Sequence, residues 1–217
     1  MKNILVTGGT GFVGSWVFKK QPKHIEHGIY LCKKNYEQGV CFLGKYDYII
    51  HLAPTAPTEM LKFAGKHNAR LLYASSGAVY HPEYQDKEYR ENKMRWEREC
   101  LDSGVDVVIA RLFTFMDSSR AWNAIFNAVR EGRKPQIAMD CIRSFMHGAE
   151  MARWMWAILL KGESGQAYDV GSDRAISLLQ LGLRIQSLTG CEFEPDYRPY
   201  PMPVYFPENT AKTKALL

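Results

Sequence analysis

Little in this sequence points to cross-links, a membrane or a nucleic acid as its organising feature. The five cysteines, Cys32, Cys41, Cys100, Cys141 and Cys191, are odd in number and form no C-x-x-C pair, which argues against a disulfide framework and a zinc site and for a reducing cytoplasm. The apolar part of Met151 to Leu160 is broken by Arg153 and is too short to span a bilayer. The chain opens directly on an apolar strand, so no signal peptide is expected. Its 28 lysines and arginines against 23 acidic residues give a net charge of +5, yet they are scattered and build no basic stripe or tail. Nucleic acid is therefore not indicated, while a small anionic ligand would suit the charge. No internal repeat is found. With 46% hydrophobic residues over 217 positions, the chain can bury a proper core, which argues against disorder and for one domain spanning 1–217.

What the chain does have is an early glycine turn. The apolar run Ile4 to Val6 breaks at Gly8, Gly9 and Gly11 and resumes as Phe12, Val13, Trp16 and Val17. This reads as a buried strand, a tight turn and a helix beginning near Gly11, the start of a βαβ nucleotide-binding unit. Glycine at 8 and 11 lets the backbone approach a pyrophosphate, Gly14 lets helix and strand pack closely, and the helix N-terminus offers free N–H groups to the anion. The spacing G-x-x-G-x-x-G departs from the general G-x-G-x-x-G fingerprint, so an ordinary glycine-rich turn stays open as an alternative.

Further along, Gly28 to Cys32 reads as a second strand and Val40 to Leu43 as a third. The second strand ends in Lys33-Lys34. In dinucleotide folds an acidic residue there holds the ribose hydroxyls and a basic one accommodates a 2′-phosphate, so Lys33 leans toward NADP(H); two solvated lysines on a loop are the alternative. Tyr46 to Ala53 is a fourth strand, apolar in its second half as a central parallel strand should be. Thr58 to His67 reads as a helix capped by Thr58, and Arg70 to Ser75 as a fifth strand. It runs into Ser76-Gly77, at the strand end where open α/β sheets bind ligands, although a turn explains a serine as well. Val105 to Leu112 is a sixth strand, Ala121 to Glu131 a helix closed by Gly132, and Arg143 to His147 an extended piece. The helix predicted over Ala149 to Lys161 carries Met151, Met155, Ile158 and Leu159 at core spacing. Tyr168 to Val170 is the last strand and Ser177 to Leu188 a helix capped by Ser177. Prolines at 195, 199, 201, 203 and 207 predict loop from Glu194 onward, ending in a short helical tail.

The helix from about Glu88 to Ser103 carries the sharpest chemical signal. At 100° per residue, Tyr89, Lys93, Trp96 and Cys100 share one stripe, while Glu91, Arg95 and Arg98 fall opposite. Burying an ammonium is costly unless it has partners. One turn from a tyrosine, it favours the phenolate and suits the pair to acid/base work. A lysine that snorkels beside a packed tyrosine is the plainer explanation.

Taken together, these pieces resemble the extended short-chain dehydrogenase/reductase family, in the branch of nucleotide-sugar epimerases and dehydratases. Thr7 to Gly14 is similar to its T-G-x-x-G-x-x-G turn, His51-Leu52-Ala53 to its H-x-A, and Ser75 to Tyr80 to its S-S-x-x-V-Y. Tyr89 to Lys93 is similar to Y-x-x-x-K, Arg111-Leu112-Phe113 to R-x-F, Arg143-Ser144-Phe145 to R-D-F, and Tyr168 to Gly171 to Y-N-V-G. The resemblance implies an α/β fold with a doubly wound, mostly parallel Rossmann-type sheet and a small C-terminal substrate cap, built from segments about 114–150 and 172–217. It implies NAD or NADP as cofactor, bound by Gly8, Gly11, Phe12, Val13, Gly14, Lys33, Leu52, Ala53, Pro54, Ala74, Tyr89, Lys93 and Phe113. It implies Tyr89 as general acid/base, Lys93 as holder of the nicotinamide ribose, and Ser76 as hydrogen-bond partner of the reacting oxygen. The substrate would be a nucleotide sugar touched by Ser76, Thr114, Arg143 and Arg198, with no metal.

Several departures accompany the likeness. Leu43 to Asp47 turns straight into the next strand without the family's helix and acidic residue, and the helix after His51-Leu52-Ala53 is short. A monomer or an atypical homodimer is expected from that shortening. Thr114 replaces an asparagine, and Ser76 is followed by Gly77-Ala78 with no Asp-Glu pair, which argues against a 4,6-dehydratase. The expected activity is an epimerase-like oxidation and reduction at a sugar carbon. The alternatives are an NADPH-dependent keto-sugar reductase and a non-catalytic dinucleotide-binding sensor.

Overall fold

The computed structural model describes residues 2–31, 45–116, 121–199 and 204–217. The first half of the chain runs β1 (Lys2–Thr7), α1 (Phe12–Lys19), β2 (Ile25–Leu31), β3 (Tyr48–His51), α2 (Thr58–His67), β4 (Arg70–Ser76), a 3-10 turn (Gly77–Tyr80), α3 (Lys87–Asp102) and β5 (Val107–Leu112). The second half continues with β6 (Phe115–Met116), α4 (Ala121–Arg130), β7 (Gln136–Ala138), β8 (Ile142–Ser144), β9 (Met146–His147), α5 (Gly148–Lys161) and β10 (Gln166–Val170). It closes with β11 (Ala175–Ser177), α6 (Leu178–Thr189), β12 (Glu194–Asp196), β13 (Val204–Tyr205) and α7 (Ala211–Lys214).

Six of these strands form one parallel sheet in the order β10-β5-β4-β3-β1-β2. They are apolar on both faces because helices cover both. Ile4, Val6, Ile50, Leu72, Val108 and Ala110 pack with residues of α1 and α5, while Leu5, Ile49, Leu71, Tyr73, Val107 and Ile109 pack with residues of α2 and α3. The indole N–H of Trp156 donates to the Val17 carbonyl at 3.0 Å and ties α5 to α1. After β2 the chain returns to the other side of β1, so the strand order reverses between β1 and β3. That switch point opens a crevice at the carboxyl ends of the strands, where such sheets take ligands.

The remaining strands make small sheets, β11-β8-β13, β12-β7 and β6-β9, around a separate core of Ile125, Ile137, Cys141, Leu178 and Ile185. The Ser177 hydroxyl accepts from the Gln180 amide and the Gln180 side chain accepts from the Ser177 amide, a complete capping box that starts α6.

The structure corrects two expectations. Thr58 is the first residue of α2 and Pro57 holds the cap position without a side-chain cap, so the helix starts one residue earlier than a threonine cap requires. The proline-rich stretch after Glu194 is not all loop: Glu194–Asp196 pairs with β7 and Val204–Tyr205 with β8. Pro195 is tolerated because β12 pairs on one side alone, leaving the missing amide facing away from the ladder. The predicted strand Val40 to Leu43, and Lys33 and Lys34, lie outside the described residues.

Candidate active site

The glycine turn between β1 and α1 is packed too tightly for side chains. Gly8 has φ +70°, and a Cβ there would lie 2.9 Å from the Ala53 amide nitrogen. A Cβ on Gly14 would lie 2.5 Å from the Gly9 Cα and 2.6 Å from the Gly8 carbonyl oxygen. The N-cap of α1 is Gly11, with no side-chain cap and no acidic residue in the first turn, so the positive end of the helix is left for an outside anion. Phe12 opens the helix and stacks on Phe115 with ring centroids 5.6 Å apart. Val13 is half-buried, and Leu52 and Ala53, which follow β3, lie against Gly8, with Pro54 exposed beyond them. This cradle fits the diphosphate of a dinucleotide.

From the turn, a polar relay crosses three neighbouring strands. Thr7, His51 and Tyr73 stand at aligned register positions of β1, β3 and β4, and strand alternation puts all three on the face covered by α2 and α3. The Nε2 of His51 meets the Thr55 carbonyl at 3.1 Å, so that nitrogen carries the proton, and the Thr7 hydroxyl donates to Nδ1 at 2.7 Å. Burial pushes His51 down to about 4, which keeps the ring neutral. His51 stacks on Tyr73 at 6.1 Å, and the Tyr73 hydroxyl accepts from the Lys93 ammonium at 3.1 Å.

Lys93 is buried as its stripe requires. Its Nζ donates to the Ala74 carbonyl at 2.8 Å and lies over the rings of Tyr73, Tyr89 and Trp96. Among the described residues no acid side chain forms an ion pair with it. Desolvation therefore wins and lowers its pKa to about 8, with Glu97 pulling the other way. Tyr89 is half-buried beside it, and its ring also faces Tyr84 at 5.9 Å. Glu91, Arg95 and Arg98 are exposed, as the helical spacing predicts.

Ser76 ends β4 and caps the 3-10 turn: its Oγ accepts from the Ala78 amide at 3.2 Å. The same oxygen lies 3.3 Å from the hydroxyl of Tyr205. Phe113 is wedged between Gly77 and Gly171, where any Cβ would come within 2.9 Å of it, and packs on Tyr205 at 5.2 Å.

The remaining substrate candidates are dispersed. Arg143 is buried in β8, opposite Tyr205 of β13 in the strand register, and it donates to the Ile142 carbonyl. Its neighbour Ser144 is fully buried, and its hydroxyl has no hydrogen-bond partner among the described residues. Arg198 is exposed, with its guanidinium spent on Asp196. The Thr114 carbonyl accepts from the Met146 amide. Among the described residues no group of His, Cys, Asp or Glu could hold a metal, and no helix is long and apolar enough to cross a membrane.

Sequence reasoning missed two side chains here. Glu97 is buried and grips Arg111 with both oxygens, at 3.0 and 2.6 Å; its place one turn past Lys93 was the available signal. Tyr205 carried none, because it comes from a proline-rich stretch without periodicity.

Residues 44–171 match the model of the NAD dependent epimerase/dehydratase family. The chain belongs to that family. Solved structures agree on the fold of this family member. The epimerase Mth375 from Methanothermobacter thermautotrophicus has a TM-score of 0.80 at 18% identity, over 100% of this chain and 86% of that one. The dTDP-glucose 4,6-dehydratase from Bacillus anthracis in complex with NAD gives 0.77 at 18%, over 99% and 90%. RMD from Pseudomonas aeruginosa complexed with NADPH gives 0.76 at 19%, over 100% and 92%. The curated proteins hold no sequence that matches it.

Proposed function

We propose that this epimerase/dehydratase family member binds NAD or NADP and uses it to oxidise and re-reduce a carbon of a nucleotide sugar, as an epimerase does. The observation that carries the reading is the line of contacts across three adjacent strands, in which Thr7 bonds His51, His51 stacks on Tyr73 and Tyr73 bonds Lys93, linking the strand that enters the glycine turn to the helix of Tyr89 and Lys93. The similar proteins crystallised with NAD and with NADPH support the cofactor.

The nicotinamide, when bound, supplies hydride acceptance and return. The protein's residues do the rest. Gly8, Gly11, Phe12, Val13 and Gly14 would hold the diphosphate, with Leu52, Ala53, Pro54 and Ala74 along the strand ends. The Tyr89 phenolate oxygen takes the proton of the sugar hydroxyl as its carbon is oxidised and gives a proton back on reduction. Lys93 would offer its ammonium to the ribose hydroxyls, while Ser76 would donate to the reacting oxygen. Phe113 would pack near the nicotinamide. Arg143 and Arg198 would take the substrate diphosphate, for which Arg198 has to leave Asp196. Thr114 would touch the sugar. The smaller sheets and α6 serve as the substrate cap. The unpaired Cys100, Cys141 and Cys191 suit a reducing cytoplasm.

A thermal-shift screen of NAD, NADP and a panel of UDP-, dTDP-, GDP- and CDP-sugars tests the reading, because a ligand of the native state raises the melting point. Any sugar that binds is then followed by proton NMR for conversion to its epimer. A protein that no dinucleotide stabilises would refute the proposal.

A further inference from the structure

Tyr205 reaches the site from the far end of the chain. β13 pairs with β8 and delivers the phenol into a box of Phe113, His81 and Tyr84, with ring centroids at 5.2, 5.2 and 6.3 Å. Both residues are buried: Ser76 is 5% exposed and Tyr205 9%. Among the described residues, the Ser76 oxygen is the one hydrogen-bond partner of the Tyr205 hydroxyl. A phenol is the more acidic donor and an alkyl hydroxyl the better acceptor, because the phenol's lone pair is shared with its ring. The proton on this contact therefore belongs to Tyr205.

The consequence lies in the lone pairs of Ser76. A serine hydroxyl has two lone pairs and one hydrogen. The Ala78 amide takes one pair at 3.2 Å and the Tyr205 hydroxyl takes the other. The hydrogen is then the one part of the group left over, and it must point elsewhere. We infer that Tyr205 is a positioning residue that fills the second lone pair of Ser76 and so makes Ser76 an obligatory donor toward the oxygen of the sugar.

The inference rests on the proposed oxidoreductase reading for what Ser76 does, but not for the contact itself. At 3.3 Å the bond is longer than the usual 2.7–2.8 Å for paired hydroxyls, and hydrogen bonds of catalytic sites commonly tighten once substrate fills them. Burial raises the Tyr205 pKa, so the phenol keeps its proton throughout the working range of the protein. A bare serine in the same place could turn its hydrogen to either side.

Two arms test this. The first uses Tyr205→Phe, Ser76→Ala and the double variant with whichever nucleotide sugar of the panel reacts. Phe keeps the ring packing on Phe113 and Tyr84, so the fold should hold. Tyr205→Phe is expected to lower kcat by about ten- to a hundredfold with KM nearly unchanged, and to have no effect once Ser76 is alanine. Equal losses in both backgrounds, or faster turnover in Tyr205→Phe, would overturn the assignment, the latter by making Tyr205 a plug. The second arm needs no substrate: the protein is labelled with 13C at tyrosine Cζ, and the deuterium isotope shift reports hydroxyl exchange. Tyr205 should exchange slowly in the wild type and quickly in Ser76→Ala. Unchanged exchange would overturn the inference. If no sugar reacts, the oxidoreductase reading fails while this arm still decides the contact.

Discussion

The ammonium of Lys93 lies 5.7 Å from the centre of the Tyr89 ring, one helical turn away on α3, while its hydrogen bonds go to the Ala74 carbonyl and the Tyr73 hydroxyl. Among the described residues no acid pairs with this ammonium, so its charge stands beside the Tyr89 ring.

The same burial makes Lys93 a pH-dependent element of stability. Folded, it loses its proton near 8; unfolded, near 10.5. Between those values the unfolded chain binds more protons, so stability rises with pH, and below 8 the whole cost of the buried ammonium is present. Tyr73 and Cys100, facing it, are both raised by burial, Cys100 to about 12, and act oppositely at higher pH; Glu97 also packs near it. The difference between wild type and Lys93→Met in urea melts from pH 7.5 to 10 should therefore close as pH rises. Parallel profiles would contradict the assignment.

Gly14→Ala should damage both fold and binding. The added methyl would sit 2.5 Å from the Gly9 Cα, and backbone cannot yield as a side-chain end can. A loss of about 1–3 kcal/mol is expected, together with loss of the melting-point rise on adding NAD. An alanine variant that still responds to NAD would mean the diphosphate does not sit on this turn.

Glu97→Gln should cost about 3 kcal/mol in urea unfolding, with the m-value unchanged. The amide keeps the shape but leaves the Arg111 guanidinium, gripped at 3.0 and 2.6 Å, without its counter-charge in a largely buried place. A cost below half a kcal/mol would show that the pair acts as an exposed one.

How much of this could be read beforehand follows from where the constraints are local. The glycine turn, the Tyr89 and Lys93 stripe and the Ser177 cap all depend on residues within a few positions of one another, so spacing alone finds them. The cap of α2 misled because threonine and proline adjoin there, and helix entry at Pro57 needs no side chain. Strands β12 and β13 were hidden because prolines signal loop unless one knows that a strand pairs on one side only. Tyr205 meets Ser76 across 129 positions, and no local pattern encodes such a meeting.

Cofactor choice is a separate question, since Lys33 lies outside the described residues. If it meets a 2′-phosphate, calorimetry should show NADPH binding more tightly than NADH, and Lys33→Ala should erase the difference. Equal affinities in the wild type would remove that role.

The most direct measurement follows Tyr89 itself. With cofactor loaded and the nucleotide sugar found by the screen, a single turnover is followed by the near-ultraviolet absorbance of reduced nicotinamide, alongside calorimetric binding of the cofactor. Tyr89→Phe should bind cofactor as the wild type does and transfer hydride at least a hundredfold more slowly, as expected when a general acid/base is removed. Hydride transfer at the wild-type rate in that variant would contradict the account.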